Sequence, residues 1–277
     1  MEKAIGKSKI KVRPFFSELG GLARVTPDRI LAYVFAIAAI ELQTVWLQPK
    51  TGTLYHGMLV VIILHHYLLA REDPDRRKLL LLAAIPLLRM ISMAMPVGLI
   101  PPLYRYPMVG IPLLASVGII LRETKIPWSQ IGLQWPRIRK SEQVWENILI
   151  AMTGIPLGLM GYYFADPIPL VTDFSWGEVT ASIVVVILYV AILEEMVFRG
   201  MLLTMLQSTF GQIGILIASI LYTLMFASYH SIEGIILMGF SSLLYSWHVL
   251  ESRSILAATV SHTLMIVGML IIWPIVF

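Results

Sequence analysis

The chain has 277 residues, of which 57% are hydrophobic and 14% are charged, and its mean hydropathy is +0.79. A soluble globular domain is roughly 45–50% apolar and about 25% charged, so this composition excludes a cytosolic enzyme, a disordered chain and a nucleic-acid-binding module. The chain carries a net charge of +4 and no cysteine, which excludes disulfides, thiolate metal sites and a cysteine nucleophile. We therefore expect the lipid bilayer to be its principal solvent.

Nine apolar stretches follow one another along the chain and lack the alternating pattern of β-strands. A spanning helix needs roughly 17–25 mostly apolar residues, and the stretches lie near 30–47, 55–70, 79–100, 107–121, 144–165, 179–209, 212–230, 234–250 and 255–276. The second and the fourth are short, so we expect eight or nine spans. Because lipid cannot satisfy free backbone groups, the spans must be helical. The sequence predicts an all-α, polytopic transmembrane helical bundle.

Lysine and arginine are distributed unevenly over the connecting segments. With nine spans, eighteen of them fall on one side of the membrane, in residues 1–29, in the loops 71–78 and 122–143, and at Arg199 and Arg253. Lys50 and Arg105 fall on the other side. Positive charge favours the cytoplasmic side. We therefore expect an integral protein of the plasma membrane, with a cytoplasmic N-terminus and a first span that is retained.

The same features divide the chain into four parts. Residues 1–29 form a basic cytoplasmic segment, 30–121 an N-terminal transmembrane block, 122–143 an interfacial basic loop, and 144–277 a C-terminal transmembrane block. Most of the polar residues at membrane depth lie in the last part. In the N-terminal block, Glu41 and Arg89 belong to different spans, and we expect them to form an ion pair.

Two adjacent glutamates occupy the sixth span. Placing a charged side chain inside the bilayer costs about 3 kcal/mol, so an ionisable residue at this depth suggests a function. Glu195 and Arg199 are four residues apart, hence on one helix face and in the order that favours an ion pair. Glu194 lies about 100° around the helix with no local partner, which suits a general base. In the structural alternative, Glu195 and Arg199 form a salt bridge without a function, and Glu194 is an acid at the end of the helix, in contact with water.

Two histidines in later spans are candidates for the same site. Phe226 and His230 share one face of the seventh span, and His262 lies in the first third of the last span. If the sixth and seventh spans turn near Gly211, Glu194 and His230 lie roughly 26 and 28 Å from the bend, at about 1.5 Å per residue. His262, roughly 15 Å from its own turn, reaches the same layer only if the helices tilt or differ in length.

Four short motifs follow one another in the second half of the chain. They are Glu194-Glu195-x-x-x-Arg199, which Gly200 follows, Phe226-x-x-x-His230, a helix with Gly239, and His262-x-x-x-Ile266. In order and spacing they resemble the CAAX-protease and bacteriocin-processing membrane family, also called CPBP or Abi. The resemblance covers about residues 140–277, whereas the N-terminal block resembles no family that we can name.

The resemblance implies an intramembrane endopeptidase of the glutamic type, without a cofactor and without nucleic acid. Its partners would be the lipid bilayer and a peptide or protein substrate that is membrane-associated or prenylated. By position, Glu194 would activate the hydrolytic water, His230 would help to hold that water, and His262 would stabilise the oxyanion. The residues that would support the site are Glu195, Arg199 and Phe226.

One position departs from the family pattern. Members that process prenylated proteins carry an asparagine four residues after the last histidine, where this chain has Ile266. Stabilisation of the oxyanion would then fall on His262, with Ser261 or Thr263 as further donors. The hairpin arithmetic also puts Glu194 towards the outer leaflet, whereas prenyl-processing relatives act on cytoplasmic substrates.

Three other interpretations stay open. A zinc protease could take Glu194, His230 and His262 as ligands, although no HExxH motif is present. A proton-coupled transporter also needs intramembrane glutamate and histidine, but the chain has no internal repeat of the kind that many transporters show. A non-catalytic scaffold or immunity protein would be compatible with Ile266.

Overall fold

A computed structural model describes residues 24–46, 49–95, 99–165, 167–171, 174–227 and 231–277. These residues form nine helices and no strand, which confirms the expected all-α class. The helices are α1 (Pro27–Trp46), α2 (Pro49–Leu69), α3 (Arg77–Met93), α4 (Pro102–Thr124), α5 (Ser141–Ala165), α6 (Trp176–Phe210), α7 (Ile213–Phe226), α8 (Ile232–Ser252) and α9 (Leu256–Val276).

Each of the nine apolar stretches of the sequence corresponds to one of these helices. Within the described residues, six helices are long and apolar enough to cross a membrane, namely α2, α4, α5, α6, α8 and α9. The remaining three are α7, which has 14 residues, α3, which has 17, and α1, which carries Asp28, Arg29 and Glu41. The expectation of a polytopic bundle is confirmed.

The connections between helices gather at two ends of the bundle. At one end, which we call the basic end, α2 connects to α3, α4 to α5, α6 to α7, and α8 to α9. Backbone hydrogen bonds tie the α4–α5 segment to the α8–α9 turn, from Arg137 N to the Ser252 carbonyl (3.2 Å) and from Ile255 N to the Gly132 carbonyl (2.9 Å). The other end, which we call the open end, carries the α3–α4 and α5–α6 connections.

A buried ion pair holds the N-terminal block together, as the sequence predicts. Arg89 of α3 donates from Nε and Nη2 to the two carboxylate oxygens of Glu41 of α1, at 2.6 and 2.7 Å. His56 of α2 adds a contact that the sequence analysis did not find, with Nε2 2.9 Å from Glu41 Oε1. All three side chains are almost fully buried. Removal of one partner from such a pair typically costs about 3–5 kcal/mol.

Two glycines set the distance between α5 and α9. Gly154 packs against the Ser261 carbonyl so closely that a Cβ would overlap it, and a Cβ on Gly158 would lie 2.7 Å from the Met265 carbonyl oxygen. Small residues four positions apart allow membrane helices to approach closely. This contact fixes the helix that carries His262.

A third close approach anchors the segment between α4 and α5. Gly200 of α6 faces the carbonyl oxygen of Ile131, which would be 2.7 Å from a Cβ at that position. Ile131 itself is 1% exposed. The basic segment 122–143 is therefore partly inserted against the helix that carries the two glutamates.

Candidate active site

The helix that carries the two glutamates is irregular on both sides of them. Ile187–Ala191 and Met196–Leu203 are π-helical, and the single α-helical turn between them is Ile192–Glu195. A π-helical turn widens the backbone spiral and is frequent at functional sites. Here the two wide segments set the directions in which Glu194 and Glu195 leave the helix.

Glu195 is fully buried and joins two cationic or potentially cationic partners. Its Oε1 accepts a hydrogen bond from Arg199 Nη1 at 3.0 Å, and His262 Nδ1 lies 3.0 Å from the same oxygen. The predicted i,i+4 pair of Glu195 and Arg199 is thus present, and it extends to the last helix. With Nδ1 donating to Glu195, the variable proton of the His262 ring is the one on Nε2.

Glu194 points away from that pair and is 16% exposed. Its Oε2 accepts a hydrogen bond from the Tyr222 hydroxyl at 3.3 Å and lies 3.7 Å from His262 Nε2. That distance is too long for a direct hydrogen bond. The carboxylate and the imidazole nitrogen are therefore placed to contact one small group between them.

Tyr222 of α7 belongs to the site, although the sequence analysis did not single it out. Its ring lies beneath the Arg199 guanidinium, 4.3 Å from the centroid to Cζ, and meets the Phe198 ring edge-on at 4.8 Å. The tyrosine is 3% exposed. The sequence could have identified Tyr222, because it lies four residues before Phe226 and therefore on the same helix face.

A second tyrosine also lies near the Arg199 guanidinium. The Tyr245 ring centroid lies 5.5 Å from Arg199 Cζ, and the Tyr245 hydroxyl lies 2.8 Å from Ser261 Oγ. Thr153 Oγ1 lies 2.9 Å from the same serine oxygen. These bonds link α5, α8 and α9 directly beside His262.

A cavity of about 550 Å³ adjoins Glu194 and His262. Its walls are mainly apolar and include Phe226, Ile266 and Met269, and its outer part is formed by Arg105 and Tyr106 of α4 and by the α5–α6 connection. It therefore lies towards the open end of the bundle. Ile266, at the position of the family's asparagine, faces this cavity as an apolar wall residue.

A smaller cavity of about 290 Å³ reaches Glu194 from the N-terminal block. Its lining includes Arg89 of α3 together with Arg105 and Tyr106, which also line the larger cavity. The N-terminal block thus forms one wall of the space around Glu194.

The structure brings four of the six predicted site residues together, namely Glu194, Glu195, Arg199 and His262. Phe226 lines the cavity, 4.8 Å from Tyr222 between ring centroids. His230 lies outside the described residues. Within the described part of the chain, no group of three or more His, Cys, Asp or Glu residues could hold a metal ion. The zinc interpretation, which needs His230, is not tested by that result.

Residues 176–267 match the model of the family described as type II CAAX prenyl endopeptidase Rce1-like. The match spans roughly a third of the chain and contains all six predicted site residues. It confirms the resemblance that the motifs carry and supports, at the level of the family, a CAAX-type intramembrane protease. No curated protein and no solved structure shows a significant match to the chain.

Proposed function

We propose that this protein is an intramembrane endopeptidase in which Glu194 activates the attacking water. The observation that carries the proposal is the placement of Glu194 and His262 Nε2, 3.7 Å apart at the wall of a mainly apolar cavity. At this separation, Glu194 can contact the attacking water while His262 donates to the carbonyl oxygen of the same peptide bond. The match to a prenyl endopeptidase family supports the same reaction class.

The reaction follows from the two groups. The Glu194 carboxylate takes a proton from the water molecule while the water oxygen forms a bond to the carbonyl carbon of the substrate. The carbonyl oxygen becomes an oxyanion, which accepts a hydrogen bond from Nε2–H of His262 as imidazolium. Glu194 then returns its proton to the amide nitrogen, the C–N bond breaks, and an acid and an amine leave.

Glu195 and Arg199 serve this chemistry by positioning His262. The bond from His262 Nδ1 to Glu195 Oε1 orients the ring, and the negative charge of Glu195 balances an imidazolium in a site with little water. Arg199 keeps Glu195 in place from the other side. His230, by the family resemblance, would help to hold the water.

The cavity favours a substrate with an apolar segment and a free carboxylate. Its walls are mainly apolar, and Arg105 is the only lysine or arginine among the described residues that line it. An arginine at the mouth of such a cavity suits a carboxylate, such as the C-terminus of a peptide. Ile266 removes the second oxyanion donor of prenyl-processing relatives, so that His262 carries this role.

The first experiment is an assay of the purified protein against peptides with and without a prenyl group, in the presence and absence of EDTA. We expect Glu194→Gln to lower kcat by at least about 100-fold, because the amide cannot accept the proton. Glu178→Gln is the matched control, since Glu178 lies exposed in the first turn of the same helix.

Turnover by Glu194→Gln at the wild-type rate would exclude Glu194 as the base. Loss of activity in EDTA would replace the glutamic mechanism by a metal-dependent one. Comparison of new N-termini in membranes that contain wild-type protein or Glu194→Gln provides the assay when the peptide set lacks a substrate. Identical N-termini in both membranes would contradict the proposed peptidase.

A further inference from the structure

A third cavity, of about 700 Å³, lies at the basic end of the bundle. It is formed by residues 129–137, by the end of α6 with the α6–α7 turn, and by the end of α8. Its lining is far more polar than that of the active-site cavity. The polar side chains include Gln130, Gln134, Gln207 and Gln212.

The charged residues that line this third cavity are all arginines. Arg137 and Arg253 are exposed, and Arg199 lies at the inner wall. No Asp or Glu is among the described lining residues, and neither Arg137 nor Arg253 forms a salt bridge within the described part of the chain. Arg137 and Arg253 therefore bring positive charge to the cavity that no described lining residue balances.

Arg199 supplies an independent observation. Its residue exposure is 2%, and only Nη1 is bonded to Glu195, whereas Nε and Nη2 have no hydrogen-bond partner among the described residues. Buried guanidinium N–H groups without partners are costly, because they have lost their hydration. Because both nitrogens are inaccessible to solvent, Arg199 adds positive charge beneath this cavity rather than a direct contact to an anion.

The position of the cavity in the bundle indicates where the anion comes from. Trp128 and Trp135 flank it along the same segment and are 52% and 85% exposed, as is typical of side chains in the headgroup layer of a membrane. Basic pockets between transmembrane helices at the cytoplasmic surface bind phosphate-bearing lipid headgroups. Arginine is well suited to phosphate because its planar guanidinium can donate two parallel hydrogen bonds.

We propose that this cavity binds the phosphate of an anionic lipid headgroup through Arg137 and Arg253, with Arg199 beneath. The proposal does not rest on the peptidase proposal, because its observations include neither Glu194 nor the cavity at the open end, although Arg199 is common to both sites. The same chemistry would accept free phosphate, and the experiment separates the two sources.

The test uses the full chain, purified in detergent and titrated with phosphatidylglycerol, with phosphatidylcholine and with inorganic phosphate, the bound adducts being counted by native mass spectrometry. The double variant Arg137→Gln/Arg253→Gln removes two charges from the cavity. The matched control Arg139→Gln/Lys140→Gln removes two exposed charges from the same segment but outside the cavity lining. All four side chains are exposed, so we expect both variants to fold, and size-exclusion chromatography checks this.

We expect the cavity variant to bind phosphatidylglycerol at least about tenfold more weakly, as two lost arginine contacts require, and the control to change less than about threefold. Equal losses in the two variants would overturn the proposal in favour of general surface charge, as would unchanged binding in both. Phosphatidylcholine that binds as tightly as phosphatidylglycerol would also overturn it. Inorganic phosphate that competes with the lipid at low concentration would identify free phosphate as the ligand instead.

Discussion

Glu194 and Glu195 are neighbours in the chain, but their surroundings give them different capacities. Glu195 is fully buried, and its carboxylate already contacts both Arg199 and His262. Glu194 receives one long hydrogen bond, from the Tyr222 hydroxyl, and faces the cavity. A carboxylate with few donors is the better proton acceptor. In the proposed mechanism, Glu195 thus positions His262 while Glu194 acts as the base.

The Tyr222 hydroxyl is expected to orient Glu194 without taking part in bond making. Tyr222→Phe removes this hydroxyl and leaves the ring under Arg199, so we expect kcat to fall about tenfold and KM to stay near wild type, since only one hydrogen bond in the site is lost. The measurement is steady-state kinetics on a cleaved peptide, together with a thermal melt.

Tyr245→Phe is the matched control for this experiment. It also removes the hydroxyl of a buried tyrosine whose ring lies near Arg199, but that hydroxyl contacts Ser261 and not Glu194. A kcat that falls equally in both variants would show that loss of stability, rather than orientation of Glu194, explains the effect.

At the level of single helices, the sequence predicts the site contacts within a helix but not those between helices. The i,i+4 spacing of Glu195 and Arg199 gives their pairing directly, because helix geometry fixes it. The bond from His262 to Glu195 joins residues 67 positions apart and depends on how α9 packs. Hydropathy carries no signal for the π-helical segments on either side of Glu194, because the whole of this span is apolar apart from a few residues.

The packing of α5 on α9 yields a prediction about stability. A Cβ on Gly158 would lie 2.7 Å from the Met265 carbonyl oxygen, so Gly158→Ala must push the two helices apart. We expect a loss of about 1–3 kcal/mol in the free energy of unfolding and a fall in kcat, because α9 carries His262. Thermal melting in detergent and the peptidase assay measure the two effects.

Gly118→Ala is the control for this substitution. Gly118 lies inside α4, and apart from the adjacent residues and the backbone of its own helix, no atom lies within 4 Å of an added Cβ. Alanine in a helix is more favourable than glycine by about 0.5–1 kcal/mol, so we expect this variant to be as stable as wild type or slightly more stable. A Gly158→Ala protein with wild-type stability would contradict the packing argument.

For the molecule as a whole, the all-α class and the order of the helices could be predicted from the apolar stretches, because lipid permits few alternatives. The pairing of Glu41 with Arg89 could also be predicted, since lone charges in lipid are costly, whereas the third member, His56, could not. The cavity, its opening and its apolar wall at Ile266 depend on helices from both halves of the chain. His230 lies outside the described residues, and its role stays a prediction.

The uneven distribution of positive charge leads to a prediction about sidedness. The active-site cavity lies towards the open end, and the basic loops lie at the other, so the positive-inside rule puts the cavity mouth on the outer side of the membrane. Because the chain has no cysteine, a cysteine introduced at one position is the only thiol of the protein that a reagent can label. We expect an impermeant maleimide to label Ile168→Cys, at the cavity mouth and 72% exposed, in intact cells.

Gln130→Cys, at the basic end, is the control for this labelling. It is expected to react only in inverted membrane vesicles, where the cytoplasmic surface faces the reagent. The reverse pattern for the two cysteines would place the active site on the cytoplasmic side and remove the difference from prenyl-processing relatives.

Arg199 borders the phosphate-binding cavity on one side and bonds to the glutamate that holds His262 on the other. Any ligand that shifts this guanidinium therefore acts on both ends of the bundle. Thermodynamic linkage makes that action reciprocal: the factor by which bound lipid changes the affinity for a peptide equals the factor by which bound peptide changes the affinity for the lipid. A change in the lipid composition of the membrane would then change how much peptide the protein binds, and bound peptide would in turn select the lipids that surround it.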